Sequence, residues 1–215
     1  MHIMTLDGSL RGAALLALLL ASSACCARTQ SAPAGPHAHH GAQAAAVEPA
    51  ARSSADYPLA GLALLRADGK AVLLADELQH DGPLVLDFVF TTCTAICPTL
   101  SRTFAELQAR NGAARPLRLV SISIDPQNDT PAVLRQYARQ FDAAPEWRFY
   151  TGTVAQSIAV QRAFDVYRGN KMNHVPLTFV RRAPGQPWIR LAGFASVDAL
   201  LRELEPAGQG GAPGG

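Results

Sequence analysis

Charge is scarce in this 215-residue chain: Asp, Glu, Lys and Arg make up 17% of it, and the net charge is only +2. The basic residues are scattered, which argues against a polyanion-binding face and against nucleic acid as a partner. An apolar run of the roughly 20 residues that a membrane-spanning helix needs is also missing near the start, where residues 12–21 fall short of it. Histidine is sparse beyond residue 56, with only His80 and His174, and cysteine is limited to Cys25, Cys26, Cys93 and Cys97. Metal or thiol chemistry in the folded part must therefore be built from very few side chains. No internal repeat is apparent, and 48% hydrophobic residues suffice for one domain with a core.

Residues 1–24 have the form of an export signal: Arg11, a short apolar stretch, then small residues before a cysteine. Ser22, Ser23 and Ala24 before Cys25 resemble the bacterial lipoprotein signal, without the leucine usual three positions before the cysteine; ordinary cleavage after Ala24 is the alternative. Both readings place the folded part outside the cytoplasm, in the periplasm, tethered to the inner membrane by a lipid or signal anchor. Residues 25–56 are rich in Ala, Pro, Ser and Gly and read as a flexible tether. His37, His39 and His40 within it are either weak metal ligands or incidental. Residues 57–206 carry the domain, and residues 207–215 read as a disordered tail.

Within the domain, strand and helix patterns alternate. Residues 62–65 and 72–74 flank the turn ADGK and predict a hairpin. The continuous apolar run LVLDFVF, residues 84–90, predicts a strand buried on both faces. Pro98 suits a first helical position, with Leu100, Phe104 and Leu107 continuing at helical spacing. LRLVSISI (117–124) predicts the next strand, and Thr130-Pro131 opens a helix with Val133, Leu134, Tyr137, Ala138 and Phe141 on one face. WRFY (147–150) and a stripe of Val154, Ile158 and Ala159 repeat the unit; VPLTFV and WIRLAGF predict a closing strand pair, and Val197, Leu200, Leu201 and Leu204 a last helix. The order predicts an α/β, thioredoxin-like fold: a central mixed sheet flanked by helices, with an N-terminal hairpin.

FTTCTAICPT, residues 90–99, carries the chemistry. Cys97 falls at the predicted helix start, where unpaired N–H groups favour an anion, so its thiolate should form readily. A stabilising disulfide is the bland alternative, but two cysteines four positions apart close almost no chain. His174 precedes the strand expected beside the cysteine turn, with Pro176 as a candidate cis-proline. Two thiolates and an imidazole suit copper. Met172 is either an outer soft ligand or packing, and His80 reads as a surface turn residue. Asp125 and Asp129 either support the site or shape a turn and a helix cap.

DFVFTTCTAICPTLS, VSISIDPQNDTP and NHVPLTFV, in this order, resemble the SCO family of copper-handling proteins. The resemblance implies a thioredoxin fold in a membrane-tethered extracytoplasmic domain, with copper, Cu(I) or Cu(II), bound by Cys93, Cys97 and His174. It also implies delivery to the copper-accepting subunit of cytochrome c oxidase. Two departures stand out: Thr94-Ala95-Ile96 lacks the proline common between the family's cysteines, and Val175-Pro176 follows the histidine where Ser or Thr is common. A second function stays open, a thiol–disulfide oxidoreductase that uses the redox-active pair, Cys93 attacking, to reduce the cysteines of a copper-accepting partner.

Overall fold

A computed structural model describes residues 49, 51–112 and 116–205. The expected signal, Cys25, His37 to His40 and the tail lie outside the described residues. In chain order the strands are β1 Ala51–Ala55, β2 Ala63–Arg66, β3 Ala71–Leu73, β4 Leu84–Val89, β5 Arg118–Ser123, β6 Trp147–Thr151, β7 Leu177–Arg181 and β8 Trp188–Ala192. The α-helices are α1 Leu74–Glu77, α2 Ile96–Asn111, α3 Pro131–Gln140, α4 Val154–Ala163 and α5 Val197–Leu204. One mixed sheet runs in the order β1-β8-β7-β4-β5-β6-β2-β3.

β4, β5 and β6 are parallel, while β7 runs antiparallel to β4 and β8 to β7. All six residues of β4 are buried, because helices cover both faces of the sheet. Val85, with Leu119 and Phe149, meets Phe104 and Leu107 of α2, Leu134 and Tyr137 of α3 and Leu200 of α5. Leu84, Leu86 and Phe88 turn the other way, into a cluster with Val160 of α4, Phe164 and Leu74. The period-two alternation of β4 thus feeds two cores. The thioredoxin-like α/β fold and the N-terminal hairpin, β2 paired with β3, are as expected.

Four local expectations need correction. Residues 51–55, read as the end of the tether, form β1 on the edge of β8, with Arg52 opposite Leu191. All five residues are exposed, so backbone pairing holds the strand and no apolar pattern announces it. Arg52 adds a two-pronged pair to Glu203 at 2.5 and 3.0 Å. α4 buries Ser157, Val160 and Gln161 rather than the stripe of Val154, Ile158 and Ala159; the Ser157 hydroxyl donates to the Ser123 carbonyl at 3.1 Å, so a polar contact fixes the helix's rotation.

α2 begins at Ile96, two residues before Pro98. Proline fits there because N–H groups of the first turn have no partner within the helix. Among the described residues no peptide bond is cis, so Pro176 is trans. A 3-10 turn at Lys171–Asn173, capped by the Asn170 side chain on the Met172 N–H, brings the chain round instead.

Candidate metal and thiol site

The site sits beyond the carboxyl end of β4, where three loops converge in an open sheet of this kind. The cysteine turn follows β4, the Asp125–Asp129 loop follows β5, and His174 precedes β7, which starts there because it runs antiparallel to β4.

Cys93 and Cys97 are free thiols. The N–H of Cys97, in the first turn of α2, donates to Sγ of Cys93 at 3.4 Å. Partial burial pushes the Cys93 thiol up, but the N–H groups of Cys97, Ala95 and Ile96 and the Cys97 thiol outweigh it and hold Cys93 below the usual cysteine value. Cys97 is fully buried beside Val89 and Phe90. That burial drives its thiol far above the ordinary range, and the Phe90 N–H, at 3.4 Å from its sulfur, offsets only part of this. The expectation that Cys97 ionises readily is therefore reversed. Helix-start N–H groups point back toward the preceding loop, so they serve the cysteine before the helix and not the one within it.

His174 is 8% exposed and lies edge-on to Phe90, with ring centroids 6.3 Å apart. Burial lowers its pKa, only partly countered by a hydrogen bond to the Phe88 backbone, which favours the neutral ring. Its Nε2 is buried with no hydrogen-bond partner. A neutral imidazole with an unused lone pair can serve as a ligand. Phe90 links the two sides, its N–H on the Cys97 sulfur and its ring against His174. Among the described residues, no three His, Cys, Asp or Glu side chains are already gathered as a metal cage. The types of donor, two sulfurs and a free imidazole nitrogen, suit a soft cation such as Cu(I).

Both aspartates do more than shape turns. Asp129 is fully buried and accepts from the Thr91 hydroxyl and the Ser123 hydroxyl, each at 2.6 Å, and from the Thr91 N–H at 3.2 Å. It thereby pins the start of the cysteine turn. Asp125 accepts from Lys171 Nζ at 2.5 Å and from Asn128 Nδ2 at 2.9 Å, which fixes the segment leading to His174. Met172 is 73% exposed, so packing does not explain it. His80 is half-buried at the other end of the sheet, its Nε2 3.3 Å from the Pro116 carbonyl oxygen.

Asp87 escaped the sequence reading because it sits within an apolar run. It is fully buried on the Val85 face of β4, and neither carboxylate oxygen has a hydrogen-bond partner of good geometry. Burial raises its pKa to about 7; the neighbouring Ser121 hydroxyl offsets this only in part. Its charge would also oppose ionisation of Cys97.

The sequence profile of the SCO1/SenC family matches residues 63–205. The chain belongs to the SCO family. Among curated relatives, the SCO1 protein homolog of Bacillus subtilis is 37% identical over 87 residues, 40% of this chain and 44% of that protein. The mitochondrial SCO2 homolog of Bos taurus is 33% identical over 88 residues, 39% of this chain and 32% of that protein. These matches span less than half the length of either relative. Among solved structures, Arabidopsis thaliana ScoI with copper bound aligns with a TM-score of 0.56 at 23% identity, covering 66% of this chain and 92% of that one. A SCO1/SenC family lipoprotein from Bacillus anthracis aligns at 0.60 and 21% identity, covering 71% and 95%. At these identities the structures establish the shared thioredoxin-like fold. Among the described residues no helix is long and apolar enough to cross a membrane.

Proposed function

We propose that this SCO protein is a copper metallochaperone that binds copper through Cys93, Cys97 and His174 and delivers it to the copper-accepting subunit of cytochrome c oxidase during assembly. The observation that carries the reading is the orphaned, buried Nε2 of His174, whose ring meets Phe90, the residue that also donates its N–H to the sulfur of Cys97, one of two free thiols. An unsatisfied buried nitrogen costs stability and calls for a partner. Copper is the cargo: two thiolates and an imidazole favour Cu(I), and Cu(II) accepts a further ligand. The neutral ring of His174 needs to lose no proton, whereas binding to Cys97 releases one from a buried thiol. Asp125 and Asp129 hold the two halves of the site. The setting is the periplasm, with the domain tethered to the inner membrane by its N-terminal segment.

A specific observation also favours the redox reading: the cysteines are unequal, one activated and half-exposed, the other buried and protonated. That division suits an attacking and a resolving thiol. Copper titration of the reduced and the oxidised protein tests the proposal. Reduced protein should bind about one copper per chain; a Cys93–Cys97 disulfide removes both sulfur ligands and should abolish loading. Equal binding by both forms would exclude this site.

A further inference from the structure

A groove of about 510 Å³ opens at Cys93 and follows the crease between α2 and α3. Pro98 and Arg102 line one side, and Tyr137, Phe141 and Asp142 the other. The two helices are bonded beneath it: Ser101 Oγ lies 2.8 Å from the Tyr137 hydroxyl, in the buried floor. Gln108 ties the lower end, donating to the Asp142 carbonyl at 3.1 Å and accepting from the Ala144 N–H at 2.8 Å. The groove is therefore preformed.

Two charged side chains line it, Arg102 on the α2 side near Cys93 and Asp142 on the α3 side at the far end. Among the described residues, the exposed guanidinium of Arg102 has no ion pair or hydrogen bond. It stands one helical turn below Pro98, about 6 Å at 1.5 Å per residue. An extended polypeptide covers about the same distance in two residues. From Pro98 to Ala105 the groove follows two helical turns, about 10 Å, more than one amino-acid thiol would fill.

We propose that this groove binds an extended polypeptide segment that presents a disulfide-bonded cysteine to Cys93 and an acidic side chain, about two residues away, to Arg102. The proposal rests on the redox reading of the cysteine pair. The Cys93 thiolate attacks one sulfur of the partner's disulfide; a Cys93–partner disulfide forms, and the partner's other sulfur leaves as a thiolate. Cys97, on giving its proton to water, attacks the Cys93 sulfur. The Cys93–Cys97 disulfide closes, the partner's second sulfur is released, and two electrons have passed from the pair to the partner, which leaves as a dithiol.

The test uses the reduced, full-length protein and three probes: the neutral reagent 2,2′-dithiodipyridine, and two pentapeptides whose cysteine is activated as the 2-thiopyridyl disulfide, one with Asp and one with Lys two residues from the cysteine. Release of 2-thiopyridone gives the rates. At low ionic strength the Asp peptide should react about 3- to 5-fold faster than the Lys peptide, the worth of one exposed ion pair. Arg102→Glu should invert that ratio, and 0.5 M salt should flatten it. Equal peptide rates beside fast reaction with the neutral reagent would overturn the groove alone. Slow reaction of Cys93 with the neutral reagent as well would overturn the redox reading and the groove with it.

Discussion

The backbone N–H of Cys97 points at the sulfur of Cys93, 3.4 Å away, while Cys97's own sulfur turns into the core. One peptide unit thus separates the chemistry of two cysteines that look equivalent on paper. The four-residue spacing produces this: Cys93 stays in the loop facing the helix start, and Cys97 falls inside the first turn. The anion-stabilising end of α2 acts on the outer thiol alone.

Iodoacetamide at pH 7.5 should accordingly label Cys93 well before Cys97, as read by peptide mapping. The labelling rate of Cys93 should rise through a midpoint below that of an ordinary thiol. Earlier labelling of Cys97 would contradict the hydrogen-bond pattern.

His174→Ala should weaken copper binding by at least the 10- to 100-fold typical of losing even an outer partner of a metal site, with Cu(II) affected most. Disulfide formation between Cys93 and Cys97 should continue, because electron exchange needs only the two thiols. Copper titration and thiol–disulfide cycling of the same variant separate the two effects. Unchanged copper affinity with slowed exchange would instead make His174 an acid–base helper.

Asp129→Ala strands the Thr91 N–H and the hydroxyls of Thr91 and Ser123. A loss of about 1–3 kcal/mol in urea unfolding is expected, together with loss of the selective labelling of Cys93 as the turn loosens. Asp125→Asn keeps the shape but removes the charge facing Lys171; it should lower copper affinity while leaving Cys93 labelling unchanged, because it acts on the His174 side.

Asp87 makes stability depend on pH in the unusual direction. Its folded pKa, about 7, lies above the ordinary 3.8, so the unfolded chain ionises first as pH rises. Stability should fall from about pH 4 to pH 7 and level off above that. The interval, at ~1.4 kcal/mol per pH unit, bounds the effect at about 4 kcal/mol. Asp87→Asn should abolish this slope, and its thermal midpoint should exceed that of the wild type increasingly between pH 4 and 7, with the gap constant above that. Parallel pH profiles for the two proteins would show that Asp87 is not the group responsible.

Local pattern carried most of the fold. The unbroken apolar run of β4 and the helical spacing of Leu100, Phe104 and Leu107 name their own structures, because burial on two faces and on one stripe leave different periods in the sequence. β1 left no such trace, since its five side chains are all exposed and its partner is the free edge of β8. The rotation of α4 was equally illegible, because a serine hydroxyl and not an apolar stripe sets it.

Cys93, Cys97 and His174 were legible as chemistry from their types and order alone, since few residues in the domain offer a soft or titratable donor. Which thiol is activated was decided in three dimensions, where α2 starts two residues before Pro98 and buries one sulfur. Tertiary contact likewise turned Asp125 and Asp129 from turn formers into the supports of two loops, and gave Asp87 its shifted titration inside an apolar strand. A sequence fixes which groups exist; a pKa and an orientation depend on the neighbours and solvent that only the packed chain supplies.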